Sequence, residues 1–304
     1  MLQILILSVT HLVLPGYLLY DLWTRPGGSR FKWLVRVIHH SAYMFYIFLA
    51  GRWDIPSFYL RYVWVILLTL VALVSYRQVR ALALHVQDRR TEWEIASRYV
   101  FTFLLFLLFI SASLLGYFRP DDSVRLTFPL RDGRYYVAQG GNIQILNQHY
   151  PVPAQRYALD IVALNAAGIR ALGVYPSDVH RYVIFGRDLY SPCDGIVIEA
   201  VDGLPDQPPP VTDVEHRAGN HVVIACQDIS VLMAHMQKDS LIVRVGDAVT
   251  TEQVVGRVGN SGNTSEPHLH IHAVRGSDGN VFEGEGVPML FEQKFPVRNT
   301  LFLR

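Results

Sequence analysis

Charge is scarce in this 304-residue sequence. Asp, Glu, Lys and Arg make up 17% of it, against about 25% in an average soluble chain. Hydrophobic residues reach 51% and the mean hydropathy is +0.22. Intrinsic disorder, which needs low hydrophobicity and high net charge, is thereby excluded, and a simple soluble enzyme is disfavoured. Only two cysteines are present, too few for a dense disulfide framework. Cys193 and Cys226 fall in strand-like surroundings, and either one disulfide or two buried thiols fits them. The sequence has no internal repeat and no low-complexity tract. It also lacks the concentrated basic face that a nucleic-acid binder requires, so no nucleic-acid partner is expected.

The net charge of +1 conceals an asymmetry. Residues 1–117 hold 11 Lys and Arg against 5 Asp and Glu, whereas residues 118–304 hold 16 against 21. The basic part carries four apolar runs, at 2–22, 33–50, 57–75 and 99–117. Each is close to the ~20 residues with which a helix crosses a bilayer, and a spanning segment must satisfy its own backbone, which makes helix the default. The second run is the weakest, holding Arg36, His39 and His40; the fourth carries no charge. The first run is expected to stay as a helix. No Lys or Arg precedes it, and its exit, Tyr20-Asp21-Leu22-Trp23, is no cleavage site.

The loop after the first run contains Arg25, Arg30 and Lys32, and the loop after the third contains Arg77, Arg80, Arg89, Arg90 and Arg98. The loop between them offers only Arg52 against Asp54. The positive-inside rule places the two basic loops in the cytoplasm. Four spans then put both termini and residues 118–304 on the extracytoplasmic side of an inner or plasma membrane, with the lipid bilayer as a partner. Arg36 and Arg61 are expected to snorkel to the headgroups, and His11, His39 and His40 to face the helix bundle.

After Tyr117 the texture changes. Short runs rich in Val, Ile and Tyr predict strands at Arg134–Ala138, Ile196–Ala200, His221–Ala225, Ser230–Ala234, Leu241–Val245 and His268–Val274. Turn pairs such as Asp194-Gly195, Gly219-Asn220 and Gly246-Asp247 separate them, as in an all-β sandwich or open barrel. The expected organisation is multi-domain: a four-helix transmembrane bundle over 1–117 and a β-rich domain over 118–304.

Eight of the twelve histidines lie in the β-rich part, three of them in Pro267-His268-Leu269-His270-Ile271-His272. On a strand, alternate residues share a face, so the three imidazoles line one side with Leu269 and Ile271 behind. Clustered neutral imidazoles suit a transition metal, zinc most commonly. A glycine-rich turn, Gly256 to Pro267, leads into this strand. Upstream, His235 ends an alternating run, and Asp160 stands alone in the apolar stretch Tyr157–Ile161. A buried lone carboxylate is costly unless it is paired or coordinates something.

The ordered series Asp160, Gly219-Asn220-x-Val222, His235, Gly246-Asp247-x-Val249, Gly259-x-x-Gly262 and Pro267-His268-Leu269-His270 resembles the lysostaphin-type (LytM-type) zinc peptidases of bacterial peptidoglycan. The resemblance covers residues 140–280. It implies a small antiparallel β-sheet beneath a groove, one bound Zn2+, Asp160 and His270 as ligands, and His235 and His268 as catalytic histidines that do not ligate. It further implies hydrolysis of peptide bonds in peptidoglycan cross-links or stem peptides. One of the two catalytic histidines would serve as general base on an acidified water and the other would stabilise the oxyanion.

The sequence departs from the family at the first ligand. The family pattern His-x-x-x-Asp would need a histidine at 156, where Arg156 stands; arginine keeps its proton and cannot ligate. The nearest upstream histidine is His149, expected to return over the sheet through a loop containing Pro151 and Pro153 and preferred to His180, His216 and His221. His272 reads as an exposed residue of the strand. The competing possibility is a non-catalytic domain on the same scaffold that binds cell wall or activates another hydrolase. A lipoyl- or biotinyl-like domain is disfavoured, since Lys238 lacks the flanking methionines of a carrier hairpin.

Overall fold

The computed structural model describes residues 2–85, 89–276 and 280–304. The chain divides into two compact units, Met1–Leu114 and Leu115–Arg304. The first is helical. Helix α1 (Leu2–Ser8) passes through a π-helical turn, Val9–Val13, into α2 (Leu14–Thr24). The turn has a local cause. Pro15 has no N–H to give the His11 carbonyl one turn back, and the Trp64 indole donates to that carbonyl instead, at 2.9 Å. Helix α3 (Arg30–Ala50) begins at Ser29, whose hydroxyl accepts from the Lys32 amide at 3.2 Å; α4 (Leu60–Val79) and α5 (Arg89–Leu115) follow. The basic stretch between α4 and α5 crosses residues 86–88, which lie outside the described residues.

All four apolar runs form helices, but among the described residues only three segments are long and apolar enough to cross a membrane: Ile4–Thr24, Leu60–Val79 and Ala96–Leu115. The second run does not qualify, because Arg36, His39 and His40 inside it lower its apolarity. Arg36 does not snorkel. It is buried and bonds the carboxylate and carbonyl oxygen of Asp21, and His40 reaches the same carboxylate at 3.2 Å. Arg61 is also buried, its guanidinium 3.9 Å from the centre of the Phe48 ring.

The second unit is built on strands. They are β1 (Val124–Leu126), β2 (Arg134–Gln139), β3 (Leu159–Ala163), β4 (Asp188–Tyr190), β5 (Gly195–Val201), β6 (Asn220–Cys226), β7 (Ile229–Met236), β8 (Ala248–Val249), β9 (Val254–Arg257), β10 (Leu269–Arg275), β11 (Glu285–Val287), β12 (Met289–Phe291) and β13 (Leu301–Leu303). Instead of two stacked layers there is one nine-stranded antiparallel sheet in the order β13-β2-β3-β10-β7-β6-β5-β8, with β11 also on β10. Two short ladders stand apart: β1–β12, which is parallel, and β4–β9.

Period-two alternation sorts this sheet into two faces. Val222, Ile224, Val231, Met233, Leu269, Ile271 and Ala273 enter the main core, while Val223, Leu232, Ala234 and Val274 pack on the opposite face. His270 and His272 share that second face by register. The run Leu241–Val245 is not a strand. Ile242 and Val245 are exposed, and the Asp247 carboxylate takes the Arg244 amide at 2.7 Å, a local bond that competes with ladder pairing. Cys193 and Cys226 form a disulfide, with Cα atoms 6.0 Å apart, joining the approach to β5 to the end of β6.

Candidate metal centre

Asp160 and His270 face each other across the β3–β10 ladder, and Ala234 of β7 lies on the other side of His270. Register alone therefore brings together residues 110 positions apart. The Asp160 carboxylate is buried, and its Oδ1 lies 3.0 Å from His270 Nδ1. His149 Nε2 lies 3.0 Å from both Asp160 oxygens, and His268 Nε2 lies 3.5 Å from Oδ1. One carboxylate thus gathers three imidazoles. Two sets of three possible donors can be drawn here, His149–Asp160–His270 and His235–His268–His270, each with its ligand atoms within 4.8 Å of one another.

His149 arrives from a loop, and the loop is held by Asn147. The Asn147 side chain is fully buried, with Nδ2 3.1–3.2 Å from the carbonyls of Gly141, Arg156 and Ala158, while its Oδ1 accepts from the His149 amide at 3.1 Å. A bond from the Val152 amide to the His149 carbonyl (2.9 Å) and a 3-10 turn, Pro153–Gln155, close the eleven-residue gap to Asp160. The Gln155 side chain hydrogen-bonds the His149 ring. Asn147 has no sequence signature beyond its place two residues before His149.

His235, the penultimate residue of β7, has a left-handed backbone, φ 61°, a strained conformation of the kind found at functional positions. Its Nδ1 donates to the Ser261 carbonyl at 2.9 Å, and His268 Nδ1 donates to the Glu266 carbonyl at 2.8 Å. A carbonyl only accepts, so each Nδ1 carries a proton; the Nε2 of neutral His235 then keeps its lone pair, while His268 Nε2 faces the Asp160 carboxylate. The two rings are 4.9 Å apart. Glu266 itself is buried against Arg170, whose Nε donates to its carboxylate at 2.7 Å. This ion pair fixes the segment that aims His268.

Electrostatics follow from burial around one charge. Burial pushes the Asp160 carboxyl up, but His149 and His268 outweigh it and hold it well below the usual range. Burial works to lower His149 and His268, and the neighbouring carboxylate raises both instead. His235 goes well down, through burial and then the other imidazoles; His270 is also lowered, by burial first. His272 is not exposed as expected from sequence. It is 1% exposed, held between His270 Nε2 at 3.0 Å and the Val281 carbonyl at 2.9 Å, and burial lowers it to about 3.

A groove of about 900 Å3 runs over this face, lined by His149, His235 and His270 together with Val201, Arg217 and Phe282 among others. Of the remaining histidines, His216 and His221 also line the groove but are paired with other carboxylates. His216 pairs with Asp213 at 2.8 Å, His221 with Glu199 at 3.1 Å, and His180 is exposed against Phe185. The donor set fits zinc: neutral imidazole nitrogens and a buried carboxylate converge from two segments, and the carboxylate is left needing positive charge.

Residues 183–281 match Peptidase family M23. That match covers about a third of the chain. The matched span includes His235, His268, His270 and His272, while His149 and Asp160 precede it. Among curated proteins the chain is similar to the peptidoglycan DD-endopeptidase ShyA of Vibrio cholerae serotype O1, 27% identical over 163 residues. That alignment covers 52% of this chain and 34% of ShyA, so the chain spans about a third of the relative's length. Among solved structures it is similar to a zinc-containing peptidase from Vibrio cholerae, with 21% identity and a TM-score of 0.24, over 38% of this chain and 46% of that one. It is also similar to the M23 metalloprotease pseudoalterin from the deep sea, with 16% identity and a TM-score of 0.33, over 54% and 74%. A third is a mutant catalytic domain of the prophage-encoded M23 protein EnpA from Enterococcus faecalis, with 28% identity and a TM-score of 0.21, over 34% and 73%.

Proposed function

We propose that this protein is a membrane-anchored zinc endopeptidase that hydrolyses peptide bonds of peptidoglycan, in cross-links or stem peptides. The observation that carries this is the buried Asp160 carboxylate, with His149 Nε2 and His270 Nδ1 both at 3.0 Å. These three residues would hold the metal. When bound, zinc would polarise the scissile carbonyl and lower the pKa of a water toward neutrality. His235 and His268 stand beside that set, with His268 Nε2 3.5 Å from Asp160 Oδ1. Between them they take a proton from the attacking water and hydrogen-bond the carbonyl oxygen as it gains negative charge. The groove beside them admits an extended peptide, and Phe282 and Val201 supply apolar wall.

The helical unit serves as the anchor. Besides the three apolar helices, α3 crosses as a fourth span, because its costly groups are paired inside the unit, Arg36 and His40 on Asp21. Four spans with basic cytoplasmic loops place the M23 domain outside the cytoplasm. Purified peptidoglycan incubated with the full chain in detergent tests the activity, with products identified by mass. New fragments cleaved at peptide bonds, lost with a zinc chelator and in His268→Ala, are expected. Unaltered peptidoglycan with the zinc-loaded chain would leave a wall-binding module without chemistry of its own.

A further inference from the structure

His272 lies outside the proposed ligand set and does not face the reacting atoms, yet it is buried in contact with His270. With both rings neutral, the hydrogen-bond chain leaves one assignment. The Val281 carbonyl, 2.9 Å from His272 Nε2, can only accept, so Nε2 carries the proton. A neutral imidazole has one ring proton, so His272 Nδ1 is an acceptor. Its neighbour at 3.0 Å is His270 Nε2, which must therefore donate. Neutral His270 then has no proton on Nδ1, the nitrogen 3.0 Å from Asp160 Oδ1. Two lone-pair atoms facing each other at that distance call for a cation. The register of β10 makes the relay possible, since residues 270 and 272 share a face and His272 is buried behind His270.

We propose that His272 is a positioning residue that uses the Val281 carbonyl to fix the tautomer of His270, presenting Nδ1 as the metal-binding nitrogen. This rests on His149, Asp160 and His270 being the zinc ligands. A hydrogen-bond acceptor behind a ligating imidazole fixes ring orientation and raises its basicity, and losing such a partner weakens metal binding about 10–100-fold. His272 acts through His270 and touches neither substrate nor metal.

The test measures zinc affinity, not turnover, on the full chain in detergent, stripped of metal and titrated with zinc against a competing chelator. His272→Phe keeps a ring and removes both nitrogens; His272→Gln keeps an acceptor for His270 and a donor for Val281. The expected result is zinc binding weakened at least about tenfold in the Phe variant and held within a few-fold of wild type in the Gln variant. Unchanged affinity in the Phe variant overturns the proposal. So does equal weakening in both variants, because a purely space-filling role would not distinguish them. If the Phe variant does not fold, the Gln variant decides: near-wild-type affinity supports the relay, and a tenfold loss in a folded protein sinks it. Wild type that fails to bind zinc overturns the ligand assignment itself, a separate result visible before any variant is compared.

Discussion

His149 and His268 both lie against Asp160, but they are expected to fail differently when removed. His149→Ala takes away a proposed ligand, so bound zinc and activity should fall together, read by metal analysis after dialysis. His268→Ala and His235→Ala should keep zinc and lose about 10²–10⁴ in kcat, the usual contribution of a positioned acid or base. The pH response of the metal-free chain follows from His272. Burial holds its pKa near 3, against 6.5 for an exposed histidine. The folded state then binds fewer protons than the unfolded state between those values, so stability is lost as pH falls below 6.5, by at most about 1.4 kcal/mol per pH unit from this group. Urea midpoints at pH 7 and pH 5 check this, and His272→Gln should show the shallower decline. Alternation placed three imidazoles on one face in the sequence, but nothing in the pattern showed that Val281 would cover the third. Asn147 was equally silent, because its value lies in three carbonyls that only the closed loop brings within reach.

At the scale of elements, the glycine-rich turn beside the site is built by close approach. Gly219 has φ 61°, and a Cβ there would lie 2.2 Å from the Ser261 carbonyl oxygen, the atom that orients His235. Gly219→Ala should cost about 2 kcal/mol or more in chemical denaturation and reduce kcat by displacing His235. Strand β10 after this turn was legible because its apolar residues alternate; Leu241–Val245 alternates too and is not a strand. There Asp247 captures the backbone locally, which a pattern of hydrophobicity does not register. The helices were legible from length and apolarity. The burial of Arg36 was not, because the pairing that permits it comes from Asp21 on another helix.

Over the whole molecule, the proposed ligands join a loop before β3 to a strand more than a hundred residues later. A metal bound only by the folded state stabilises it with the logarithm of ligand excess, so chelation should lower the melting temperature of the β-rich domain and added zinc restore it. The order of the chain's two units was readable from charge and hydropathy alone. The count of spans was not, since α3 mixes basic and apolar residues. Labelling of cysteines introduced singly into the loops, in intact cells, tests the four-span arrangement: residues near 55 should react with an impermeant reagent and residues near 28 should not.

The bridge between Cys193 and Cys226 carries the same topology into the chemistry of the cell. Such a bond persists where thiols are not continually reduced and is rare in the cytosol. The proposed extracytoplasmic location therefore predicts that these two sulfurs are found bonded in extracts of cells trapped with a thiol-blocking reagent, and free thiols there would count against it.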